Sequence, residues 1–344
     1  MHSNIINDLF KGKDYPNIPI WFLRQAGRHI PEYYSIRSRA KNFIDFCLNT
    51  ELIVESTKLP LKYYNIDAAI VFSDILMIPW AMNRNVKFKK NIGPSMDPMV
   101  PNETKIVKNV NIRELLRPLG DAIKILRKDL PSSVCLIGFA GAPWTLACYM
   151  IEGQSSKDFI KTRTALWNYN KWFLELIQTL IIYVADKLEM QANAGANVLM
   201  IFDSWSHMIP NNFYDQLAIN PISEIIFLLR SRNINIPIIG FPFKSGGSLI
   251  KYSYESNVDC VALDWTVNLE WAVKNINPFI AMQGNLEPAS LIPNKSPFLI
   301  SEVKSILEIM KNKKFIFNVG HGFTPECKID NVKKVISIVK EFKS

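Results

Sequence analysis

Eight short apolar runs recur along the chain, and each of them ends in polar or glycine residues. They cover residues 18–23, 68–72, 134–139, 198–202, 236–241, 260–263, 279–282 and 315–317. Strands that are apolar throughout and alternate with helices indicate a parallel sheet covered on both faces. Eight such units in 344 residues predict an α/β protein, a single (β/α)8 TIM barrel over residues 1–344 with an active-site cleft at the C-terminal strand ends. An open doubly wound sheet is the alternative, but it would not by itself explain polar ends on all eight runs.

Most of the segments between the runs carry apolar residues at helical spacing, most clearly from Phe173 to Leu188. Helices are predicted over residues 50–65, with Thr50 as the N-cap, and over 113–129, 213–232, 298–312 and 330–342. Residues 81–112 lack periodicity and are rich in Asn, Pro and Lys. We therefore expect an irregular excursion there, with one short hairpin.

The net charge of +9 raises the local concentration of anionic ligands. The excess lysines are scattered, and no dense basic stripe with exposed aromatic residues predicts binding to nucleic acid. No run reaches the length that a membrane span needs, and the polar N-terminal segment predicts no signal peptide. The five cysteines are odd in number and widely spaced. That pattern argues against a disulfide framework and for a reducing compartment, so a cytoplasmic protein is expected.

Two arginines follow the first apolar run, one on each side of a small-residue bend. Arg24 and Arg28 flank Gln25-Ala26-Gly27, and we expect Gly27 to adopt backbone angles that other residues resist. Each guanidinium is a fixed fork of donors that suits a carboxylate or a phosphate. A surface salt bridge is the ordinary role of one such arginine. The pair, placed after a buried strand, indicates an anion site.

Further polar side chains follow the other apolar runs, where the barrel prediction places the cleft. Asp74 and Ser204 could each cap the helix after their strand, and Tyr149 could be a core aromatic residue. His321 lies between two glycines, which indicates a close backbone approach that leaves the imidazole exposed in the cleft. Taken as a set, these groups predict an enzyme that acts on an anionic organic substrate.

Several kinds of cofactor site are missing from the sequence. It has no Walker motif, no dinucleotide fingerprint and no His or Cys pair at metal-ligand spacing. A Ser-His-Asp triad is compatible with the composition, but no Gly-x-Ser-x-Gly elbow is present. The residues therefore predict an enzyme that uses no metal and no organic cofactor.

The arginine bend and the later strand ends resemble the signatures of the uroporphyrinogen decarboxylase family, and the matches span nearly the whole chain. Arg-Gln-Ala-Gly-Arg at 24–28, followed by Pro-Glu-Tyr at 31–33, is similar to its N-terminal signature. Val-Phe-Ser-Asp-Ile-Leu at 71–76 is similar to the segment that carries its essential aspartate. The other matches are 138–145 with Tyr149 and 152–153, then 202–205, 263–265, 283–286 and 318–322. The chain departs from the family pattern at His29, where a tyrosine is usual, and at 206–207, 243–245 and 323–329.

The resemblance implies an enzyme of haem biosynthesis that removes carbon dioxide from the four acetate side chains of uroporphyrinogen III, giving coproporphyrinogen III without a cofactor. It also implies a homodimer. By analogy, Asp74 stabilises the protonated pyrrole intermediate, and the proton comes from Arg24, Arg28 or a bound water. The implied catalytic residues are Asp74, Arg24 and Arg28. The implied substrate contacts are Arg24, Gln25, Ala26, Gly27, Arg28, Asp74, Tyr149, Ser204 and His321.

Two other functions are compatible with parts of the sequence. Related barrels include zinc-dependent methyltransferases, which need His and Cys ligands at strand ends, but no cysteine accompanies His321 in its motif. A basic RNA-binding protein is the non-enzyme alternative. It would bind nucleic acid in a salt-sensitive manner and would not need Asp74 at a strand end.

Overall fold

Seven parallel strands form the central sheet of the computed structural model, which describes residues 4–15, 17–89, 93–168, 170–294 and 296–343. Numbered along the chain, the strands of this sheet are β1 (Ala68–Ile70), β4 (Cys135–Gly141), β5 (Val198–Asp203), β6 (Ile238–Pro242), β7 (Cys260–Ala262), β8 (Ala281–Leu286) and β9 (Phe315–Val319). Strands β2 (Lys87–Lys89) and β3 (Gly93–Ser95) form a separate pair. The sheet order is β1-β4-β5-β6-β7-β8-β9, so the strands of this sheet are arranged in the order in which they occur along the chain. The antiparallel pair of β2 and β3 is the hairpin predicted within 81–112.

Helices connect the strands and pack on the sheet and on one another. They are α1 (Ile5–Phe10), α2 (Glu32–Ser38), α3 (Phe43–Leu48), α4 (Thr50–Tyr63), α5 (Met77–Ala81), α6 (Ile112–Leu115), α7 (Arg117–Asp129), α8 (Pro143–Glu152), α9 (Ile160–Asn168), α10 (Asn170–Asn193), α11 (Asn220–Ser231), α12 (Ser248–Glu255), α13 (Leu269–Asn275), α14 (Leu299–Met310) and α15 (Ile329–Glu341). Short 3-10 turns lie at Ser206–Met208, Asn211–Phe213 and Pro288–Leu291, and a π-helical turn lies at Asp215–Ile219.

Most predicted elements are confirmed, and the differences have local causes. The N-cap of α4 is Asn49 and not Thr50, because the Asn49 side chain accepts the Leu52 amide while the Thr50 hydroxyl donates to a distant carbonyl. The predicted strand at 279–282 begins only at Ala281, and Phe279 is 83% exposed. Helices α2 and α3 were not predicted.

The first apolar run, residues 18–23, does not form a regular strand. It pairs with β9 through one isolated bridge, between Ile20 and Phe317. Three of its amides bond to side chains, whereas the Trp21 amide donates to the Phe317 main-chain oxygen at 3.3 Å. The Ile20 amide donates to Asp67 Oδ2 at 2.7 Å, and the Leu23 amide donates to Asn318 Oδ1 at 2.9 Å. The regular parallel sheet therefore has seven strands, one fewer than predicted.

The apolar runs predicted from the sequence form the centre of the hydrophobic core. Strands β1, β4, β6, β7, β8 and β9 are buried along their whole length, as a sheet covered on both faces requires. All five cysteines are buried free thiols, which confirms the prediction that they form no disulfide framework. Among the described residues, no helix combines the length and apolarity needed to cross a membrane.

Gly320 lies where the chain leaves β9 and passes the segment that follows β7. A Cβ atom at this position would lie 2.2 Å from the Trp265 main-chain nitrogen. Because backbone atoms cannot move aside cheaply, we expect Gly320→Ala to lower the free energy of unfolding by about 1–3 kcal/mol. Urea unfolding of the purified variant would measure the change.

Gly247→Ala is the matched control for this substitution. Gly247 has a φ of −63° and nothing within 4 Å of a Cβ atom, so the variant should stay within about 0.5 kcal/mol of the parent. Equal stability of the two variants would show that the chain relaxes around residue 320 at little cost.

Candidate active site

The C-terminal strand ends bring together several of the side chains predicted for the site. The Arg24 guanidinium is close enough to three of them to influence their pKa values, namely Asp74, Tyr149 and His321. These three residues follow β1, β4 and β9. The arginine bend and three separate strand ends therefore meet in one cleft.

Asp74 is half-buried and lies beyond the end of β1. Its Oδ1 accepts a hydrogen bond from the Leu76 amide at 2.8 Å, and its main-chain oxygen accepts one from Lys187 Nζ at 3.1 Å. Burial raises the pKa of the Asp74 carboxyl. The opposing contributions come first from the Leu76 amide and then from the Lys187 and Arg24 cations. Helix α5 begins at Met77, so Asp74 stabilises the turn before this helix and is not its N-cap.

The arginines extend from their bend as exposed side chains, and neither forms an ion pair with a described carboxylate. The left-handed backbone angle predicted at Gly27 lies at Arg24 instead, with a φ of +56°. The Arg24 side chain crosses Gly322, where a Cβ atom would lie 2.3 Å from Arg24 Cδ. Glycine at 322 therefore makes room for the guanidinium. Asp74 lies near Arg24 and Glu326 lies near Arg28. Because neither carboxylate forms a contact ion pair with its arginine, both guanidiniums can bind an anionic ligand.

The residues between the arginines have different surroundings. Gln25 is fully buried, and its side-chain amide accepts the Phe22 amide at 3.2 Å and donates to the Ala68 main-chain oxygen at 3.0 Å. It joins the bend to β1 and leaves only its main chain for a ligand. Ala26 and Gly27 are half-buried in the bend.

His321 and Tyr149 are both half-buried and uncharged near pH 7. Burial, together with nearby Arg24 and Lys244, lowers the pKa of His321 to about 4. Burial, together with the Asp74 carboxylate, raises the pKa of Tyr149 to about 12. The site therefore offers a neutral imidazole and a protonated phenol as hydrogen-bonding groups.

A continuous run of aromatic rings, here called the aromatic wall, connects Tyr149 to His321. Neighbouring ring centroids lie 5.0 to 5.9 Å apart. Lys244 Nζ lies 5.4 Å from the ring centre of Phe243 and 5.0 Å from that of Trp265, which places another cation at the wall. The wall consists of Tyr149, Trp205, His207, Phe243 and His321, with Trp265 beside the last two.

Asp203 is the last residue of β5, and Ser204 follows it. Ser204 is half-buried and makes no side-chain hydrogen bond within the described ranges. Asp203 turns inward, where its Oδ1 accepts the Thr145 hydroxyl at 2.5 Å, and burial raises its pKa to about 7. The alternation of side chains along a strand explains why adjacent residues have opposite surroundings. Ser204 is therefore the member of this pair with a side chain left for a ligand.

His29, which replaces the tyrosine usual in the family pattern, lies in the core behind the bend. Its Nε2 is 3.1 Å from the Tyr64 hydroxyl, and its ring meets the edge of Phe323. Burial lowers the pKa of His29 to about 4, so the imidazole is neutral and can accept this hydrogen bond. The substitution is accommodated by packing and does not add a charge to the cleft.

Lys187 was not identified from the sequence. Its side chain is fully buried in α10, and its ammonium reaches the main chain of Asp74. A signal was available, because the lysine stands directly before Leu188 and three residues after Val184 in an apolar helical stripe. A charged residue on that face has to be buried or has to interrupt the packing of the helix.

Among the described residues, no three His, Cys, Asp or Glu side chains are grouped so that they could hold a metal ion. The His and Cys ligands that a zinc-dependent methyltransferase needs therefore have no counterpart in this part of the chain.

Comparison with known proteins shows the family of this chain. The family model for uroporphyrinogen decarboxylase matches residues 2–342. The uroporphyrinogen decarboxylase of Rhodospirillum rubrum is 39% identical over 323 residues, which cover 94% of this chain and 92% of the relative. That of Rickettsia africae is 39% identical over 342 residues, which cover 98% and 96%.

A solved structure described as a methyltransferase from Methanosarcina mazei is similar to this chain with a TM-score of 0.82 and 14% sequence identity, over 99% of each chain. At this identity the similarity shows the fold alone. The family model and the two sequence relatives, each matched over nearly the whole chain, show more than the fold. The chain belongs to the uroporphyrinogen decarboxylase family.

Proposed function

We propose that Asp74 is the carboxylate that stabilises the cationic intermediate when this enzyme converts uroporphyrinogen III to coproporphyrinogen III. Family membership makes the chain a carboxy-lyase of porphyrin biosynthesis. Loss of carbon dioxide leaves an electron pair that needs a sink, and a pyrrole becomes that sink once a ring carbon is protonated. A fixed carboxylate that accepts hydrogen bonds from the pyrrole N–H groups stabilises the resulting cation, and such electrostatic preorganisation is usually the largest catalytic contribution.

The observation that carries this proposal is that the two oxygens of the Asp74 carboxylate differ in their hydrogen bonding. Oδ1 of Asp74 is used by the Leu76 amide. Within the described ranges, no protein donor bonds to Oδ2. A half-buried carboxylate with one oxygen free, next to the Arg24 guanidinium, is arranged to accept donors from a ligand.

The two arginines supply the positive charge that the acetate and propionate groups of the substrate require. Both are exposed and unpaired within the described residues, so binding does not require a salt bridge to be broken first. Each guanidinium can hold a carboxylate through two parallel hydrogen bonds. The proton for the ring carbon comes from Arg24, from Arg28 or from a water that they hold.

The remaining contacts follow from the protonation states and the shape of the site. Tyr149 keeps its proton and can donate to a carboxylate, while neutral His321 and the Ser204 hydroxyl can donate or accept. The main chain of Gln25, Ala26 and Gly27 lies between the two arginines. The aromatic wall provides apolar surface for the pyrrole rings of the macrocycle.

We also propose that residues 1–344 form one domain, in which the run 18–23 closes the sheet as the eighth member of a (β/α)8 barrel. Hydrogen bonds on both sides of the run support this. The Phe317 amide donates to the Pro19 carbonyl and the Asp67 amide donates to the Ile20 carbonyl, each at 2.8 Å. Both amides should then exchange hydrogen as slowly as the centre of the sheet. Exchange at the rate of exposed loops would contradict closure.

The family resemblance is the ground for proposing a homodimer, and the five free thiols support a cytoplasmic location. Light scattering at micromolar protein should give twice the mass of the 39.4 kDa chain. A monomeric mass would refute the dimer, and recovery of the native protein outside the cytosol on cell fractionation would refute the location.

The role of Asp74 can be separated from its contact with the Leu76 amide by two substitutions. Asp74→Asn keeps an oxygen for that amide but removes the charge, so turnover should fall about a hundredfold or more. Asp74→Glu keeps the charge but moves it by about one bond length, and its activity should lie between those of Asp and Asn. The measurement is an anaerobic assay of coproporphyrinogen formation, on protein dialysed against chelator because no metal is expected to be needed.

Arg28→Ala is the contrast in the same assay. Loss of one charge-assisted contact should raise KM about ten- to a hundredfold, with a smaller effect on turnover. All three variants should melt within about 2 °C of the parent, because each changed group is at least partly exposed. An Asp74→Asn enzyme with unchanged turnover would show that the cation is stabilised elsewhere.

A further inference from the structure

A buried ammonium contacts the main chain of Asp74, the proposed catalytic residue. Lys187 has no exposed surface, and its Nζ donates to the Asp74 main-chain oxygen at 3.1 Å. Nζ also lies 5.2 Å from the centre of the Phe139 ring, on β4. No described carboxylate comes within ion-pair distance of it. Burying a cation without a contact ion pair is costly, so a merely packing role would be better filled by an apolar side chain.

The position of Lys187 is set by the helix that carries it. One helical turn further along α10, the Gln191 side chain bonds to both the amide and the carbonyl of Phe139, each at 2.9 Å. Gly138 provides the room for this contact, because a Cβ atom there would lie 2.9 Å from Gln191 Oε1. Helix α10 is thereby docked on β4, and the Lys187 side chain is held at the loop that follows β1.

The charges around Lys187 make Asp74 its principal electrostatic partner. Burial lowers the pKa of Lys187 to about 8, and the Asp74 carboxylate is the largest opposing influence. In return, Lys187 lowers the pKa of Asp74 more than Arg24 does. The other titratable and charged groups that interact with the pair are Cys47 on α3, Tyr149 on α8 and Arg24, and Arg37 acts on Cys47.

We propose that Lys187 is a positioning residue for the decarboxylation, which holds the Asp74 main chain and keeps the Asp74 carboxylate ionised as the cleft is desolvated. The proposal rests on the role of Asp74 given above. Burial of Asp74 favours its neutral form, but stabilising a pyrrole cation requires the anion. A fixed cation on the core side offsets this burial without competing for the carboxylate oxygens that face the ligand. Substrate binding removes further water, which strengthens the interaction between the two charges.

Two substitutions separate the charge of Lys187 from its hydrogen bond. Lys187→Met keeps an unbranched apolar stem and removes both, and Lys187→Gln keeps a donor without the charge. In both variants the acidic limb of the pH profile of kcat/KM should move upward by about one pH unit, because Asp74 loses an opposite charge. At pH 7 we expect kcat to fall about tenfold or more in Lys187→Met, with KM changed much less. A purely structural role would lower the melting temperature and leave the acidic limb unmoved, and this result would overturn the proposal.

Lys340→Met is the matched control. Lys340 on α15 pairs with Asp67 at 2.5 Å, at the opposite end of β1 from Asp74. This variant also deprives an aspartate of a largely buried lysine partner, so the protein should lose stability but keep the parent pH profile. Should Lys187→Met fail to fold, Lys187→Gln carries the test, because it keeps a polar hydrogen-bond donor at this position without the charge. A parent pH profile in Lys187→Gln would equally overturn the proposal.

A double-mutant cycle with Asp74→Asn distinguishes failure of this inference from failure of the proposed function. If Lys187 acts through the Asp74 charge, adding Lys187→Met to Asp74→Asn should change kcat by less than about twofold. A further tenfold loss in the double variant would show that Lys187 acts independently of Asp74 and would overturn the inference alone. Parent-like turnover in Asp74→Asn by itself would overturn the role of Asp74, and this inference with it.

Discussion

The hydrogen bonds made by Asp67 hold the first apolar run in place, and the geometry of the cleft depends on them. Its carboxylate accepts the Ile20 amide at 2.7 Å, and its own amide donates to the Ile20 carbonyl at 2.8 Å. On the other side, the Phe317 amide donates to the Pro19 carbonyl. The run is therefore tied to the segments leading into β1 and to β9. Because the arginine bend follows immediately, these bonds also determine where Arg24 meets the other strand ends.

In the cleft, exposed arginines face the ligand, while the negative charge of Asp74 is balanced on the core side by Lys187. Arg24 and Arg28 form no contact ion pair with a described carboxylate, whereas Asp74 bonds to the Leu76 amide through its side chain and to Lys187 through its main chain. Burial keeps His321 neutral and Tyr149 protonated near pH 7. The net electrostatic character is a positive rim around one carboxylate. Such a site suits a polyanionic substrate that becomes locally cationic during the reaction.

Glycines shape this cleft through the space they leave. At Gly322 any side chain would collide with Arg24, and at Gly320 a Cβ atom would meet the main chain of Trp265. The glycines on both sides of His321 predicted a close approach of the backbone. In the structure, Gly320 lies against the main chain of Trp265 and Gly322 lies against the side chain of Arg24. Arg24, and not a glycine, adopts the left-handed angle in the bend. A residue without glycine's freedom accepts such an angle only where the surrounding bonds hold it there.

The sequence by itself determined the order of strands and helices, the burial of the sheet and most of the polar strand ends, because periodicity and composition are local properties of the chain. It could not determine that the amides of the first run would bond to Asp67 and Asn318 instead of forming a regular strand, nor that Gln25 would turn into the core while its neighbours face the cleft. It also did not show Lys187 behind Asp74, since these residues lie far apart in the chain and on different elements. Only the tertiary structure decided these matters, because burial and long-range proximity decide which partner a polar group reaches and which charge it carries.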